Sequence, residues 1–144
     1  MRPAALVDTG FLLALLDRDD RWHEACTAAF EEVRLPWLTS EAVLTELFHL
    51  VGDNFAETKA AWKLVRSGAF TLGAISDSDL PAIQDLFQRY KDRSMDFADA
   101  TLVHLAERES LSVILTIDHN DFETYRIGHK KRFTILPQRR SFKP

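Results

Sequence analysis

The sequence predicts an α/β fold of three layers, in which a mostly parallel sheet of about five strands is flanked by helices. Short apolar segments that suit buried strands alternate with amphipathic segments of helical spacing along the whole chain. Val113–Ile117 is the most β-branched run and is typical of a buried strand. With 144 residues and 46% hydrophobic content, the chain is long enough to form such a core. Strands that alternate with helices build βαβ units, whose strands run parallel.

Five short apolar segments are expected to form the strands. Each is bounded by residues that end a strand or begin a helix, such as Pro137 after the last segment. The segments are Ala4–Val7, Leu35–Leu38, Phe70–Ile75, Val113–Ile117 and Phe133–Leu136.

Six segments between the strands are expected to be helices, because their apolar residues recur at three- and four-residue spacing. Thr39 or Ser40 is expected to cap the third helix, and Asp77 the fifth. The segments are Phe11–Leu16, Arg21–Val33, Glu41–Val51, Ala56–Ser67, Ser78–Lys91 and Asp96–Arg108. No internal repeat, low-complexity segment or linker interrupts this order, so we expect a single domain over residues 1–144.

The composition argues against several classes of protein. No apolar run approaches the ~20 residues of a membrane-spanning helix, and the N-terminus lacks the pattern of a secretion signal. Cys26 is the only cysteine, which excludes an internal disulfide and a thiolate zinc cluster. These features suit a reducing compartment, and we expect a cytoplasmic protein.

Charge is unevenly distributed along the chain. The C-terminal segment 126–144 contains seven basic residues and no acid, whereas the preceding 125 residues contain 11 basic and 22 acidic residues. Such a basic segment is either an interaction surface for a polyanion or a solvated chain end. An overall net charge of -4 is not typical of a nucleic-acid binder. An enzyme with carboxylates at its centre and a basic rim would nevertheless have this balance.

Acidic residues follow two of the predicted strands. Asp8 follows the first strand, and Asp118 follows Val113–Ile117, with Asp121 three residues further on. Because the carboxyl ends of parallel strands lie at one edge of a sheet, where ligands bind, these acids are candidates for a functional site. The alternative is that they are ordinary turn or helix-capping residues.

Two further acids lie on or beside the apolar faces of predicted helices. Glu46 borders the apolar stripe of the predicted helix Glu41–Val51. The alternative is an ordinary glutamate at the edge of the stripe, whose side chain reaches into solvent. Asp99 lies on the inward face of its helix near the helix start, where the helix dipole stabilises an acid. Asp96, three residues earlier, is the better candidate for the N-cap.

If these acids come together, they form a ligand set that contains only oxygen. Hard cations such as Mg²⁺ and Mn²⁺ are bound by carboxylates together with water and substrate phosphates. None of the five histidines shows the close helical pairing of a zinc site. The chemistry indicated is metal-assisted hydrolysis of a phosphate ester.

Four motifs occur in a familiar order and at familiar spacing over essentially the whole chain. They are VDTGF, SEAVLTEL, DFADATLVHLAER and ILTIDHNDFETYR, the last followed by RFTILP. With these motifs the chain resembles the PIN-domain family, and within it the small bacterial proteins of the VapC type, which are toxins of toxin–antitoxin pairs. The resemblance implies a parallel sheet of about five strands and a Mg²⁺- or Mn²⁺-dependent endoribonuclease.

The resemblance also assigns roles, position by position. The catalytic positions are Asp8, Glu46, Asp99 and Asp118. The three aspartates would bind the metal, directly or through water, and Glu46 would either orient or deprotonate the attacking water or bind the metal as well. The supporting positions are Thr9, Asp96, Thr116 and Asp121.

Three kinds of partner follow from the resemblance. Basic residues near the acidic motifs or in the C-terminal segment would hold the RNA backbone. These candidates are Arg93, Arg126, Lys130, Lys131 and Arg132. Proteins of this type also form homodimers and are silenced by a small antitoxin that covers the acidic site. An exposed apolar groove formed by Ala56–Ser67, with Trp62, and by Phe48 is the candidate surface for such a partner.

Two other carboxylate-rich α/β families fit less well. A haloacid-dehalogenase-like phosphatase needs a second acid where Gly10 stands, and a phosphoreceiver domain needs an acidic neighbour beside Asp8. The alternative from another functional class is a PIN-fold module that binds RNA or protein without cleaving RNA.

Overall fold

The computed structural model describes residues 1–139 and contains a five-stranded sheet whose strands are all parallel. In chain order the strands are β1 (Ala5–Val7), β2 (Trp37–Thr39), β3 (Phe70–Leu72), β4 (Val113–Leu115), β5 (Arg126–Ile127), β6 (Lys131–Arg132) and β7 (Thr134–Leu136). The sheet has the order β3-β2-β1-β4-β7, and β5 and β6 form a separate antiparallel pair. The first strand of the chain is therefore the centre of the sheet.

Helices flank the sheet, which confirms the predicted α/β fold. They are α1 (Thr9–Leu16), α2 (His23–Glu32), α3 (Glu41–Val51), α4 (Phe55–Val65), α5 (Leu80–Arg89), α6 (Phe97–Arg108) and α7 (His119–Thr124). Helix α1 packs against α2, α3 and α4, α5 packs on α6, and α3 and α6 are in contact. Among residues 1–139, no helix has the length and apolar character required to cross a membrane.

The central strand has no exposed surface, because helices and neighbouring strands cover it on every side. All three residues of β1 are fully buried. In β2, the Trp37 ring packs edge-on against Phe11, Phe30 and Phe70, with ring centroids 5.5, 5.2 and 5.9 Å away. These contacts explain why the strands are apolar without alternation, as in parallel sheets covered on both faces.

Helix starts converge on the carboxyl edge of the sheet. Asp8 caps α1, Ser40 caps α3 and Asp118 caps α7, each through a side-chain oxygen that accepts a backbone N–H of the first turn. These caps bond amide groups that would otherwise lack partners at a helix start. Three strand-to-helix turns thus place acidic and hydroxyl side chains along one edge.

All five predicted strands are longer than the strands observed, and for two of them the pairing of β2 with β3 explains the difference. The segment predicted over Phe70–Ile75 ends at Leu72, and the one predicted over Leu35–Leu38 begins at Trp37. Pairing decides both limits, because β2 and β3 are in register only from Trp37 opposite Phe70 to Thr39 opposite Leu72.

The single helix predicted over Ser78–Lys91 is wrong, because the chain forms three elements there. A 3-10 turn at Asp77–Asp79 precedes α5, and a second one, Lys91–Arg93, follows it. The predicted cap Asp77 is also wrong: Ser76 caps the first turn, and its backbone N–H donates to Asp79 Oδ2 at 2.8 Å. Pro81 suits the first turn of a helix, where its missing N–H is not needed. The other predicted helices begin and end within two residues of their observed bounds.

The region after β4 differs most from the prediction. The strand ends at Leu115 and not at Ile117, and Asp118 begins the short helix α7, which was not predicted. Thr116 causes this turn, because its Oγ1 accepts the backbone N–H of Asp118 at 3.0 Å. The short pair β5–β6 was not predicted either, since two-residue strands carry no periodic signal.

Candidate active site

Three carboxylates come close together at the carboxyl edge of the sheet. Asp99 in the first turn of α6, Asp118 at the cap of α7 and Asp121 in the first turn of α7 each offer an oxygen within 4.8 Å of the other two. We call these three side chains the acidic cluster. Asp121, which the resemblance gave as a supporting residue or an additional ligand, has the geometry of a ligand.

Asp8 lies beside the acidic cluster and is held by two hydrogen bonds. The carboxylate accepts the backbone N–H of Thr9 at 2.8 Å and the hydroxyl of Thr116 at 3.0 Å. Because the same hydroxyl accepts the N–H of Asp118 at 3.0 Å, Thr116 couples the end of β1 to the start of α7. Asp8 is only 7% exposed, and its charge acts on Asp99.

Glu46 approaches the same region from α3. Its partly exposed side chain lines a groove of about 940 Å³ together with Asp96 and Phe97 at the start of α6. Helix α3 is held in place because the hydroxyls of Ser40 and Thr101 share a hydrogen bond of 2.8 Å. The structure therefore brings all four predicted catalytic acids to one edge, with Glu46 at the open groove.

Close packing explains why residue 10, two positions after Asp8, is a glycine. Gly10 lies inside α1, where a Cβ atom would come within 2.9 Å of the Ile117 side chain. The absence of a side chain at this position lets the start of α1 approach the turn that carries Asp118.

Burial and mutual repulsion alter the acidity of these groups. Burial is the main cause that raises the pKa of Asp8 to about 6, and the charges of Glu46 and Asp118 add to it. Burial, followed by the charges of Asp8 and Asp96, raises the pKa of Asp99 to about 8. Burial and the neighbouring Asp121 carboxyl raise the pKa of Asp118. Without a cation, full ionisation of these carboxyl groups is disfavoured by burial and by their mutual repulsion.

The stability of the metal-free protein is expected to fall as pH rises. Because the folded-state pKa values of Asp8 and Asp99 exceed the usual 3.8, their contribution to stability is complete below about pH 4 and is lost as pH passes about 6 and about 8. Asp99→Asn removes one of these groups, so we expect its stability relative to wild type to rise by about 3 kcal/mol between pH 5.5 and 8.5.

Urea unfolding in EDTA at both pH values measures this difference. The comparison with the variant cancels the titration of histidines elsewhere in the chain. A stability difference that does not change with pH would show that Asp99 ionises in the folded protein as it does in the unfolded chain.

The sequence did not identify Tyr125 as a site residue. Its hydroxyl donates a hydrogen bond to Asp99 Oδ2 at 3.2 Å, inside the core. Burial and the charge of Asp99 raise the pKa of Tyr125 well above its usual range, so the phenol remains a donor. The sequence feature that could have pointed to Tyr125 is its place beside an acidic motif. The hydroxyl of a buried tyrosine usually has a hydrogen-bond partner, and an aspartate of that motif could supply it.

Tyr125→Phe is expected to weaken Mn²⁺ binding about tenfold, because side chains that orient a metal-binding carboxylate contribute to metal affinity. Isothermal titration with Mn²⁺ measures this affinity. Equal affinity in the variant and wild type would show that Asp99 needs no help from the phenol. Phe122, which packs against Tyr125 at 5.2 Å, should keep the ring of the variant in place.

Asp96 has the capping role that its position predicted. Its Oδ1 accepts the backbone N–H of Asp99 at 2.8 Å. Asp96 thus fixes the first turn of α6, and this turn directs Asp99 towards Asp118 and Asp121.

The side chains present suit a hard divalent cation. Among the described residues, the acidic cluster supplies three carboxylates and no nitrogen or sulfur ligand. Divalent cations such as Mg²⁺ and Mn²⁺ prefer this donor set. Because the pKa values of Asp99 and Asp118 are raised by burial and neighbouring acids, a bound cation would also relieve the repulsion.

The structure separates the predicted RNA-binding residues into different environments. Arg93 forms an ion pair with Asp121, with 2.7 Å between Nη2 and Oδ1. Arg126 instead donates from one nitrogen to the carbonyls of residues 123, 124 and 125, at the end of α7. The exposed side chains on or near β6 are Lys130, Lys131 and Arg132. Two basic residues of the predicted C-terminal segment, Arg140 and Lys143, lie outside the described residues.

Known proteins share both the sequence pattern and the fold. Residues 5–128 match the PIN domain family. The ribonuclease VapC26 of Mycobacterium tuberculosis is 28% identical over 134 residues, which are 92% of this chain and 99% of that protein.

Two solved structures have similar folds, each with 19% sequence identity to this chain. The first is the Mycobacterium tuberculosis toxin VapC20, which cleaves the sarcin–ricin loop; its TM-score is 0.71, and the match covers 81% of this chain and 92% of VapC20. The second is PAE2754 of Pyrobaculum aerophilum, with a TM-score of 0.58 and coverage of 94% and 91%. Both support the three-layer α/β fold.

Proposed function

The chain belongs to the PIN domain family, as its motifs predicted, and on this premise we propose that it is a metal-dependent endoribonuclease, the toxin of a toxin–antitoxin pair. The acidic cluster carries this proposal, because three carboxylates within 4.8 Å of one another lie at the strand ends where this fold binds ligands. The ribonuclease name of the relative VapC26 supports RNA as the substrate.

We assign the four predicted acids different tasks. Asp99 and Asp118 would bind Mg²⁺ or Mn²⁺ directly, and Asp8, whose oxygens already accept two hydrogen bonds, would join through water. A bound cation of this kind activates water and neutralises charge on a phosphodiester.

Glu46 is our candidate for the general base. Its carboxylate lies outside the acidic cluster and faces the groove of about 940 Å³, where an RNA strand has access. One of its oxygens would accept a proton from the water that attacks phosphorus, while one P–O bond of the RNA backbone breaks. Its partial exposure leaves room for that water.

We also propose two protein partners, a small antitoxin and a second copy of the chain. The names of the VapC relatives support an antitoxin. The predicted surface on α3 and α4 offers apolar area to it, because Phe48 packs against Trp62 with ring centroids 4.7 Å apart while Trp62 remains 50% exposed. Phe55, at the start of α4, is 79% exposed.

Cleavage of a mixture of tRNA and ribosomal RNA tests the proposed activity. Wild-type protein with Mg²⁺ or Mn²⁺ should produce discrete cuts, and EDTA should prevent them. If folded protein cuts nothing with either metal but binds RNA, the chain is an RNA-binding module. Binding that is unchanged by Asp8→Asn would then show that the acidic edge has no part in it.

A further inference from the structure

Arg93 is placed at the rim of the acidic cluster. Its Nη2 donates to Asp121 Oδ1 at 2.7 Å and to the backbone carbonyl of Asn120 at 3.3 Å. Asp121 in turn has an oxygen within 4.8 Å of oxygens of Asp99 and Asp118. The guanidinium is therefore a positive charge in direct contact with the acidic cluster, through Asp121.

Part of this guanidinium makes no hydrogen bond to residues 1–139. Among the described residues, both hydrogen bonds of the Arg93 side chain come from Nη2, and none from Nη1 or Nε. The side chain is 35% exposed, so a ligand has access to it. Arginine stays charged at every relevant pH, and its planar set of donors matches phosphate oxygens.

The backbone that carries Arg93 is tied to the same scaffold as Asp99. The N–H of Arg93 donates to the carbonyl of Tyr90 at 2.9 Å, and Ser94, with a φ of 53°, ends the turn. The Tyr90 ring packs against Tyr125 at 5.0 Å, and Tyr125 donates to Asp99. Arg93 and Asp99 are thus held by one pair of tyrosines, which fixes the position of the arginine relative to the acids.

The other basic candidates are less suitable for a phosphate at this site. The Nη1 atom of Arg126 already donates to three backbone carbonyls. The β5–β6 turn lies beside the far end of α6, because a Cβ on Gly128 would lie 3.5 Å from the Glu107 side chain. Eight residues of helix, about 12 Å along the axis, separate that end from Asp99.

We propose that Arg93 contacts the phosphodiester at the cleavage site, with Nη2 held by Asp121 and with Nη1 donating to a phosphate oxygen. The inference rests on the proposed ribonuclease function. RNA brings negative charge to an edge that already carries the acidic cluster, Asp8 and Glu46, and a fixed cation offsets this repulsion. The phosphorane-like transition state carries still more charge on its oxygens, so the contact strengthens as water attacks.

Arg93→Gln tests the proposal in three measurements on the same labelled tRNA. The first is kcat/KM with Mn²⁺, which we expect to fall about 100-fold, as for the loss of one charge-stabilising donor. The second is the salt dependence of tRNA binding in EDTA, whose logarithmic slope should become shallower by about 0.7 if one phosphate contact is lost. The third is Mn²⁺ affinity, which should change by less than about tenfold, since the direct ligands proposed above are Asp99 and Asp118, and Arg93 bonds neither of them.

Arg18→Gln is the matched control, since it removes the same charge from an exposed position just after α1, outside every surface proposed above. It should leave all three measurements unchanged. Arg93→Lys keeps the charge but not the planar donors, and we expect about tenfold lower kcat/KM with the wild-type salt slope. This variant carries the test if thermal unfolding shows that Arg93→Gln does not fold.

The outcomes separate this proposal from the proposed function. If wild type cleaves RNA and Arg93→Gln cleaves it equally well, only the role of Arg93 is overturned. If activity falls together with a tenfold loss of Mn²⁺ affinity at an unchanged salt slope, Arg93 only positions Asp121, and the phosphate contact is refuted. If wild type cleaves nothing, the ribonuclease proposal fails, while the salt slope still reports whether Arg93 touches phosphate.

Discussion

Asp99→Asn is expected to reduce metal-dependent RNA cleavage by about 10³-fold or more while making the metal-free protein more stable above neutral pH. Both effects have one origin, because Asp99 is only 9% exposed and lies next to Asp8, Asp96 and Asp118. An amide has no charge to offer a cation, so metal binding is lost. It also has no charge to keep buried, so the cost of ionisation is removed.

Two measurements on the same preparation check this prediction. Cleavage of the tRNA and ribosomal RNA mixture with Mn²⁺ gives the loss of activity, and isothermal titration gives the loss of Mn²⁺ binding. Asp85→Asn serves as the matched control, because it removes the same charge from an exposed face of α5. An Asp99→Asn protein that still binds Mn²⁺ as wild type does would remove Asp99 from the ligand set.

Glu46→Gln is expected to reduce cleavage by about 10²–10³-fold with little change in Mn²⁺ affinity. Glu46 lies outside the acidic cluster and lines the groove, so its loss should affect the attacking water more than the cation. The sequence left both roles open, since a glutamate at this position can be a base or a ligand. Metal titration beside the cleavage assay distinguishes them.

A tenfold loss of Mn²⁺ affinity in Glu46→Gln would identify Glu46 as a metal ligand and contradict its assignment as the base. Glu31→Gln, an exposed glutamate at the end of α2, controls for the change in net charge.

Local patterns in the sequence predicted the fold, which the structure confirms, and they singled out the four acids as candidates. An apolar run that ends in a carboxylate is unusual, as at Asp8, and so is an acid on the apolar face of a helix, as at Asp99. Each of these features is visible within a few residues of sequence. Parallel strands then direct such residues to one edge whatever the details of packing. The order of strands and helices follows from the same short-range periodicity.

Only the tertiary structure decided how the site is completed. Tyr125 reaches Asp99 across 26 residues of sequence, and Arg93 reaches Asp121 across 28. Neither contact leaves a mark in local periodicity, because each depends on how α6, α7 and the turn after α5 pack together. The membership of Asp121 in the acidic cluster depends likewise on the turn at Thr116, which leaves only three residues between the end of β4 and the start of α7. Short-range spacing determines which residues face the edge, whereas packing between distant segments determines which of them meet.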